Sequence, residues 1–149
     1  KLARYAEAFS MNVVYYDPYV KKDEYKRVFS LTNLQNVDIL CISCYLTDET
    51  KGIISNGILD DFNENLIVIN TSRGETVDEN YIYDLVTKDK IFYSCDVLCN
   101  EQDVEKLRKS KLFNLKRDNI VITPHVAGAT IESQTKALRG ILELCTRSR

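Results

Sequence analysis

The sequence lacks any long apolar run, any surplus of charge of one sign, and any proline-rich or low-complexity linker. Its longest apolar stretches are strand-sized, well short of the roughly 20 residues that cross a bilayer, and none resembles a signal peptide. With 20 basic and 22 acidic residues, the chain has no excess of positive charge with which to bind a polyanion. We therefore expect a soluble protein with neither a membrane span nor a nucleic-acid partner.

Metal ligands are scarce as well. The chain has one histidine, and its five cysteines are an odd number. Several of these cysteines lie in apolar runs, where a thiol packs as a small hydrophobe, so we expect a reducing, cytoplasmic compartment. Cys41 and Cys44 have the spacing of a metal pair, but strand alternation would place them on opposite faces, and no second pair completes a site. No metal site is therefore predicted.

The apolar residues gather into five short runs that are typical of strands. A single domain is expected, since 149 residues with 44% hydrophobic content can bury a sizeable core. The runs are Met11–Pro18, Val37–Ser43, Leu66–Asn70, Ile91–Val97 and Asn119–Thr123. Near-continuous apolar runs fit strands that are covered on both faces, as in parallel sheets.

Segments with helical spacing separate these runs. The first residues, Lys1–Phe9, look like an amphipathic helix. Apolar residues then recur at Ile54, Ile58, Leu59 and Phe62, and again, after the N-cap candidate Asp78, at Tyr81, Ile82, Leu85 and Val86. A long final helix would present Ile131, Gln134, Leu138, Ile141, Leu142 and Cys145, and would pack on the sheet or reach towards another domain. Alternating strands and helices predict an α/β fold with a doubly wound parallel sheet.

In open parallel sheets, ligands bind beyond the carboxyl ends of the strands, and four side chains at such positions carry useful chemistry. Asp17 lies where a carboxylate binds the adenosine ribose of NAD, although Asp17–Pro18 could equally initiate a turn. Arg73 could offer two donors to a planar carboxylate. His125 suits proton exchange near neutral pH, and Glu101 could fix its tautomer. A solvated arginine, a structural histidine and a helix-capping glutamate are the alternatives for the last three.

Five segments in order resemble the D-isomer-specific 2-hydroxyacid dehydrogenases. They read AFSMNVVYYDP, VDILCISCYLTDETKGII, LIVINTSRGETVDENYIYDLV, CDVLCNE and NIVITPHVAGAT. The resemblance implies a Rossmann-like NAD-binding domain over residues 1–149 and hydride transfer between NAD(H) and a small D-2-hydroxy acid or 2-oxo acid. It further implies that Arg73 grips the substrate, that Glu101 orients His125, and that His125 exchanges the proton. A homodimer is also implied.

The same resemblance implies which residues contact the cofactor. The expected NAD contacts are Asp17, Pro18, Ser43, Cys44, Tyr45, Thr50, Thr71, Ser72, Asp96, Ala127 and Gly128. Asp17 would bind the ribose, Thr71 and Asp96 would lie along the nicotinamide half, and Ala127 and Gly128 would approach the carboxamide.

The sequence departs from the family pattern at several points. Ser10 stands where a turn commonly has glycine, so we expect a slightly strained turn. Ser43 and Tyr45 replace a frequent histidine and proline, and the segment QDVEKLRKS replaces the usual acidic, proline-containing stretch. Substrate preference is therefore not carried over from the family.

The resemblance also implies a longer intact protein, with a glycine-rich turn ahead of Lys1, a central first strand and a second, substrate-binding domain. Without that central strand, its two neighbours would lie about 9 to 10 Å apart with orphaned backbone groups. The sequence leaves two alternatives to an active enzyme open. The protein could be an NAD(H)-sensing scaffold of the same fold, or this segment could be inactive on its own.

Overall fold

The structure, a computed structural model, describes residues 1–22 and 24–147, with side chains described as far as Ile141. Its helices and strands are, in order, α1 (Leu2–Ala8), β1 (Val14–Tyr16), β2 (Lys26–Val28), β3 (Ile39–Ile42), β4 (Leu66–Asn70), α2 (Glu79–Thr87), β5 (Ile91–Cys95), α3 (Val104–Lys109), β6 (Ile120–Ile122) and α4 (Ile131–Arg147). Short 3-10 turns lie at Leu31–Leu34 and Gly74–Thr76.

The strand pairs of the described residues are all parallel. β1 pairs with β2, and a separate ladder has the order β3-β4-β5-β6. In the larger ladder, Ile42, Asn70, Cys95 and Ile122 are aligned at the carboxyl ends, so the loops that follow leave from one edge. The predicted α/β fold with a parallel sheet is confirmed. In the described residues the strands form two separate ladders, and β1 does not pair with β3.

One face of the four-stranded sheet is packed and the other is open. Leu66, Val68 and Tyr93 are buried, and α2 packs on this side against β5. The opposite side, here called the open sheet face, consists of the exposed side chains Ile39, Ile67, Phe92 and Val121. The prediction that both faces are covered is therefore wrong for the described residues, because α1 contributes no buried residue and the described side chains of α4 are themselves exposed.

The final helix is present as predicted, but its described side chains do not pack on the sheet. Ile131, Leu138 and Ile141 are 80%, 62% and 58% exposed. The side chains of Leu142 and Cys145, which were predicted to share this face, lie outside the described residues.

The predicted helix over Ile54 to Phe62 is wrong, since this segment is a series of turns. Gly57 adopts a φ of +82°, which an α-helix does not allow. Hydrogen bonds link residues three apart instead, such as Phe62 N–H to the Leu59 carbonyl at 3.2 Å. Ile54 and Leu59 are still buried, at 3% and 4% exposure, so the apolar spacing marked core residues but not a helix.

Strand β2 is not evident from the sequence, because two of its three residues are charged. Its Arg27 has a specific role in the fold. The guanidinium donates to the Asp17 carbonyl from Nε at 3.1 Å and from one terminal nitrogen at 2.7 Å, and to the Pro18 carbonyl at 2.9 Å. Arg27 thus ties down the turn that follows β1.

Two helix ends follow directly from local chemistry. The Asp78 carboxylate accepts the Asn80 N–H at 2.9 Å and the Tyr81 N–H at 3.3 Å, which confirms it as the N-cap of α2. Ser10 follows the C-cap residue of α1 and adopts a φ of +60°, in the left-handed region that glycine usually occupies. The Met11 N–H bonds to the Ala6 carbonyl at 3.0 Å, completing this turn.

No helix in the described ranges has both the length and the apolar content required to span a membrane. Among the same residues, no group of three or more histidine, cysteine or acidic side chains is arranged to hold a metal ion.

Candidate active site

The turn after β4 holds Arg73 by its main chain. Asn70, which is fully buried, donates from its side-chain amide to the Arg73 carbonyl at 3.0 Å and to the Thr76 hydroxyl at 3.2 Å. Its side-chain oxygen accepts the Ser72 N–H at 3.0 Å, and the Thr76 hydroxyl donates to the Arg73 carbonyl at 2.7 Å. The exposed Arg73 guanidinium bonds to the Ser72 carbonyl at 2.7 Å. A rigid turn therefore presents a cation at the carboxyl edge.

Gly74 brings this turn against the loop that follows β5. A Cβ atom at Gly74 would lie 2.1 Å from the Leu98 carbonyl carbon and 2.2 Å from the Cys99 nitrogen. The glycine thus permits a close approach of the two backbones, since any side chain there would collide with the neighbouring loop. The arginine turn and the loop that leads to Glu101 form one packed unit.

Glu101 and His125 are in direct contact. Nδ1 of His125 lies 2.5 Å from one Glu101 oxygen, and the other oxygen accepts the Leu98 N–H at 3.1 Å. The His125 side chain is 49% exposed and the Glu101 side chain is 25% exposed, so solvent reaches the pair. Because Nδ1–H donates its hydrogen bond to Glu101, Nε2 is the ring nitrogen free to exchange a proton with a ligand.

Asp96 fixes the loop on both sides of His125. One of its oxygens accepts the Thr123 hydroxyl at 2.5 Å and the Val126 N–H at 3.0 Å, and the other accepts the Ala127 N–H at 2.8 Å. Desolvation acts to raise the pKa of Asp96, but these hydrogen bonds outweigh it and lower the pKa. Both carboxylate oxygens are engaged within the protein, so Asp96 supports the histidine loop whatever it does for a cofactor.

Asp17 has the turn geometry that was the alternative to a ribose role. Its Oδ1 accepts the Tyr19 and Val20 N–H groups, both at 2.9 Å. Its Oδ2 makes no hydrogen bond within the described residues, so the two roles are compatible. Gly128 lies in open space, since a Cβ there would meet nothing within 4 Å. A free carboxylate oxygen and an unobstructed glycine at the carboxyl edge both fit a bound dinucleotide.

Other predicted cofactor residues also serve the fold. The Ser72 hydroxyl donates to the Cys44 carbonyl at 2.6 Å, which joins the ends of β3 and β4. The Thr50 hydroxyl donates to the Tyr45 carbonyl at 2.5 Å and closes the turn between them. Tyr45 is 91% exposed. Pro18, Ser43 and Thr71 are exposed as well.

The structure therefore brings the glutamate and the histidine together, and it packs the arginine turn against the Leu98–Cys99 backbone of the loop that leads to Glu101. Within the described residues, no hydrogen bond or ion pair joins the Arg73 side chain to Glu101 or His125. Sequence reasoning missed the supporting residues Asn70 and Thr76. A buried asparagine at the end of an apolar strand was the one available signal.

A parallel α/β sheet with polar side chains beyond its carboxyl ends is the architecture of nucleotide-binding domains. The family model for the D-isomer specific 2-hydroxyacid dehydrogenase NAD binding domain matches residues 1–127. The chain belongs to this family, and its cofactor is NAD.

Individual relatives agree with this assignment. The chain is 34% identical over 150 residues to the dehydrogenase efuE of Hormonema carpetanum, covering 95% of this chain and 36% of that protein. It is 31% identical over 141 residues to the hydroxypyruvate reductase of Thermotoga maritima, covering 91% and 44%. The D-lactate dehydrogenase from Aquifex aeolicus, complexed with NAD and lactic acid, superposes with a TM-score of 0.81 at 26% identity, covering 97% and 48%. The chain spans less than half the length of each.

Proposed function

We propose that residues 1–149 form the NAD-binding domain of an enzyme that interconverts small 2-oxo acids and D-2-hydroxy acids. The observation that carries the proposal is the Glu101–His125 contact of 2.5 Å, which lies in the loops beyond the carboxyl ends of the strands, where open parallel sheets bind ligands. When bound, NADH supplies the hydride that reduces the C2 carbon of the oxo acid.

His125 is proposed as the general acid. Its Nε2 proton passes to the carbonyl oxygen as the hydride reaches C2, and this yields the hydroxyl group. In the oxidation direction, neutral Nε2 takes the hydroxyl proton. Glu101 accepts a hydrogen bond from Nδ1–H, holds the ring and stabilises the charge that the imidazole gains. The short contact between the two side chains supports this division of roles.

Arg73 is proposed to bind the substrate carboxylate. A guanidinium offers two parallel donors that fix a planar carboxylate, and it stabilises negative charge that develops on the carbonyl oxygen. The exposed side chain on a braced turn supports this role.

The cofactor contacts are proposed from the same resemblance. Asp17 would bind the adenosine ribose through Oδ2, which has no hydrogen bond in the described part of the chain. Ala127 and Gly128 would approach the carboxamide, with Thr71 and Asp96 along the nicotinamide half. The remaining contacts would come from Pro18, Ser43, Cys44, Tyr45, Thr50 and Ser72. We also propose that the protein is cytoplasmic and that it is a homodimer. Light scattering of the purified protein would test the dimer.

Steady-state oxidation of NADH by the whole protein, with a panel of 2-oxo acids, tests the reaction. His125→Ala should lower kcat/KM by roughly 100- to 10,000-fold, since it removes the general acid. Arg73→Ala should lower kcat/KM by about 100-fold or more. Arg73→Lys should recover little of this loss, because an ammonium group is a point charge and cannot offer the two parallel donors of a guanidinium. The exposed Arg108→Ala is the surface control and should leave the rate unchanged.

The same experiment separates the enzyme from an NAD(H)-sensing scaffold. Tight NADH binding without oxidation by any 2-oxo acid would support the scaffold and contradict the proposal. Turnover by the whole protein, together with binding but no turnover by the 149-residue chain, would show that this segment is inactive on its own.

A further inference from the structure

We infer that Glu79 is a positioning residue for the Glu101–His125 pair, because its carboxylate fixes the loop that carries Glu101. The inference rests on the proposed function for its catalytic meaning, but its structural content can be tested without turnover.

Glu79 lies in the first turn of α2 and joins two separate segments to that helix. One of its oxygens accepts the Cys99 N–H at 2.6 Å, and the other accepts the Ser110 hydroxyl at 3.2 Å. Ser110 is the C-cap residue of α3, directly after its last residue. A single half-buried carboxylate therefore connects α2 with the loop after β5 and with the end of the helix that follows.

The anchored amide is close to the catalytic pair along the chain. Cys99 is two residues before Glu101, and the N–H of its neighbour Leu98 donates to the Glu101 carboxylate at 3.1 Å. On its other side the same stretch is pressed against Gly74, whose added Cβ would lie 2.2 Å from the Cys99 nitrogen. If Glu79 releases the Cys99 amide, the Leu98 amide shifts with it, and Glu101 loses the hydrogen bond that aims it at His125.

An acidic residue in the first turn of a helix commonly serves only the helix dipole. Glu75 provides the comparison, since it also lies near this loop but reaches the Asn100 N–H at only 3.5 Å. That distance is at the limit of a hydrogen bond, whereas the Glu79 contact is short and charge-assisted. The Cys99 thiol beside it stays neutral, because burial first, and then Glu79 and Glu75, raise its pKa to about 12.

The single histidine of the chain makes the test direct, because every imidazole signal belongs to His125. In ¹⁵N-histidine-labelled protein, above the pH at which the ring becomes neutral, we expect the Nδ1–H tautomer, since Nδ1 donates to Glu101. Glu79→Ala should shift the ring towards the Nε2–H tautomer. Glu101→Ala is the positive control and should do the same.

Three further variants separate positioning from a general loss of structure. Glu79→Gln keeps an oxygen acceptor for the Cys99 amide and should retain the Nδ1–H tautomer. Glu79→Asp keeps the negative charge at the start of α2, but its shorter side chain holds the acceptor oxygens one methylene further from the Cys99 amide. This variant should therefore also shift the ring away from the Nδ1–H tautomer, and it provides the test if Glu79→Ala does not fold. Glu75→Ala should change nothing at the histidine.

Two results would overturn the inference. One is a folded Glu79→Asp or Glu79→Ala protein that keeps the wild-type tautomer, and the other is an Nε2–H tautomer in the wild type. Failure of the proposed function would look different, as the wild type would then show no NADH oxidation while the tautomer changes were still observed. If the enzyme is active, Glu79→Asp should lower kcat by about 10-fold or more and Glu79→Gln should restore it.

Discussion

At the scale of single residues, Gly74 and Gly128 have opposite surroundings. A Cβ at Gly74 would meet backbone atoms 2.1 to 2.5 Å away, whereas one at Gly128 would meet nothing within 4 Å. Gly74→Ala should lower the free energy of unfolding by about 1 to 3 kcal/mol, because the loop before Glu101 must move. Gly128→Ala should leave stability unchanged. Urea unfolding of both variants checks this, and equal stabilities would contradict the close approach.

Asp96 predicts a specific dependence of stability on pH. Its folded-state pKa lies below the ordinary value of 3.8, so the ionised carboxylate stabilises the fold above that pH and the contribution disappears as the pH falls through the lower folded value. Asp96→Asn should lower the free energy of unfolding by about 1 to 3 kcal/mol at neutral pH. Both oxygens of Asp96 accept hydrogen bonds from the loop, whereas an asparagine side chain has only one acceptor oxygen. Urea unfolding at a series of pH values measures this effect. The difference in the free energy of unfolding between wild type and variant should become smaller as the pH is lowered. The exposed Asp118→Asn is the control.

The sequence identifies site residues when a charged or titratable side chain directly follows an apolar run. It does not identify residues whose role depends on a contact with partners distant along the chain. Arg73, Glu101 and His125 stand in loops after apolar runs and resemble a family pattern. Glu79 does not, because its partners Cys99 and Ser110 are 20 and 31 residues away and no spacing rule connects them.

At the scale of elements, the end of α1 is strained by its own sequence. Ser10 adopts φ +60°, as expected for a residue that replaces a glycine in this turn. Ser10→Gly should raise the free energy of unfolding by roughly 1 kcal/mol, since a side chain in the left-handed region costs about 1 to 2 kcal/mol and glycine loses some of that gain through greater unfolded-state entropy. Ser10→Ala is the matched comparison and should give no gain. Thermal and urea unfolding of the three proteins would decide.

Elements are predictable where local pattern and burial agree. β4 was predicted at Leu66–Asn70 and occupies those residues, because its whole apolar run lies in the middle of the ladder. The helix predicted near Ile54 is wrong because Gly57 adopts a positive φ, which glycine allows and an α-helix does not. β2 was missed because a strand of three residues with two charges carries no apolar signal, and it forms only because β1 offers it a partner.

At the scale of the whole molecule, the open sheet face predicts that the chain binds apolar probes. Phe92 on this face is 46% exposed, and contiguous exposed apolar residues mark surfaces that associate with others. Phe92→Lys should reduce the fluorescence of the dye ANS and any self-association seen by light scattering. Phe113→Lys is the control, as Phe113 is 43% exposed but lies outside the sheet. An equal effect of both substitutions would contradict a specific role for this face.

The separation of the sheet into two ladders has a consequence for how the chain opens. The β1–β2 pair contains short, partly buried strands, whereas β4 has a hydrogen-bonded neighbour on each side and residues such as Leu66 and Val68 with no exposure at all. Amide exchange measured with small additions of denaturant should therefore resolve two cooperative units, with the Tyr15 amide released at lower free energy than that of Val68. A single unit with one opening energy would mean that the contacts between the ladders, rather than their hydrogen bonds, set the cooperativity of the fold.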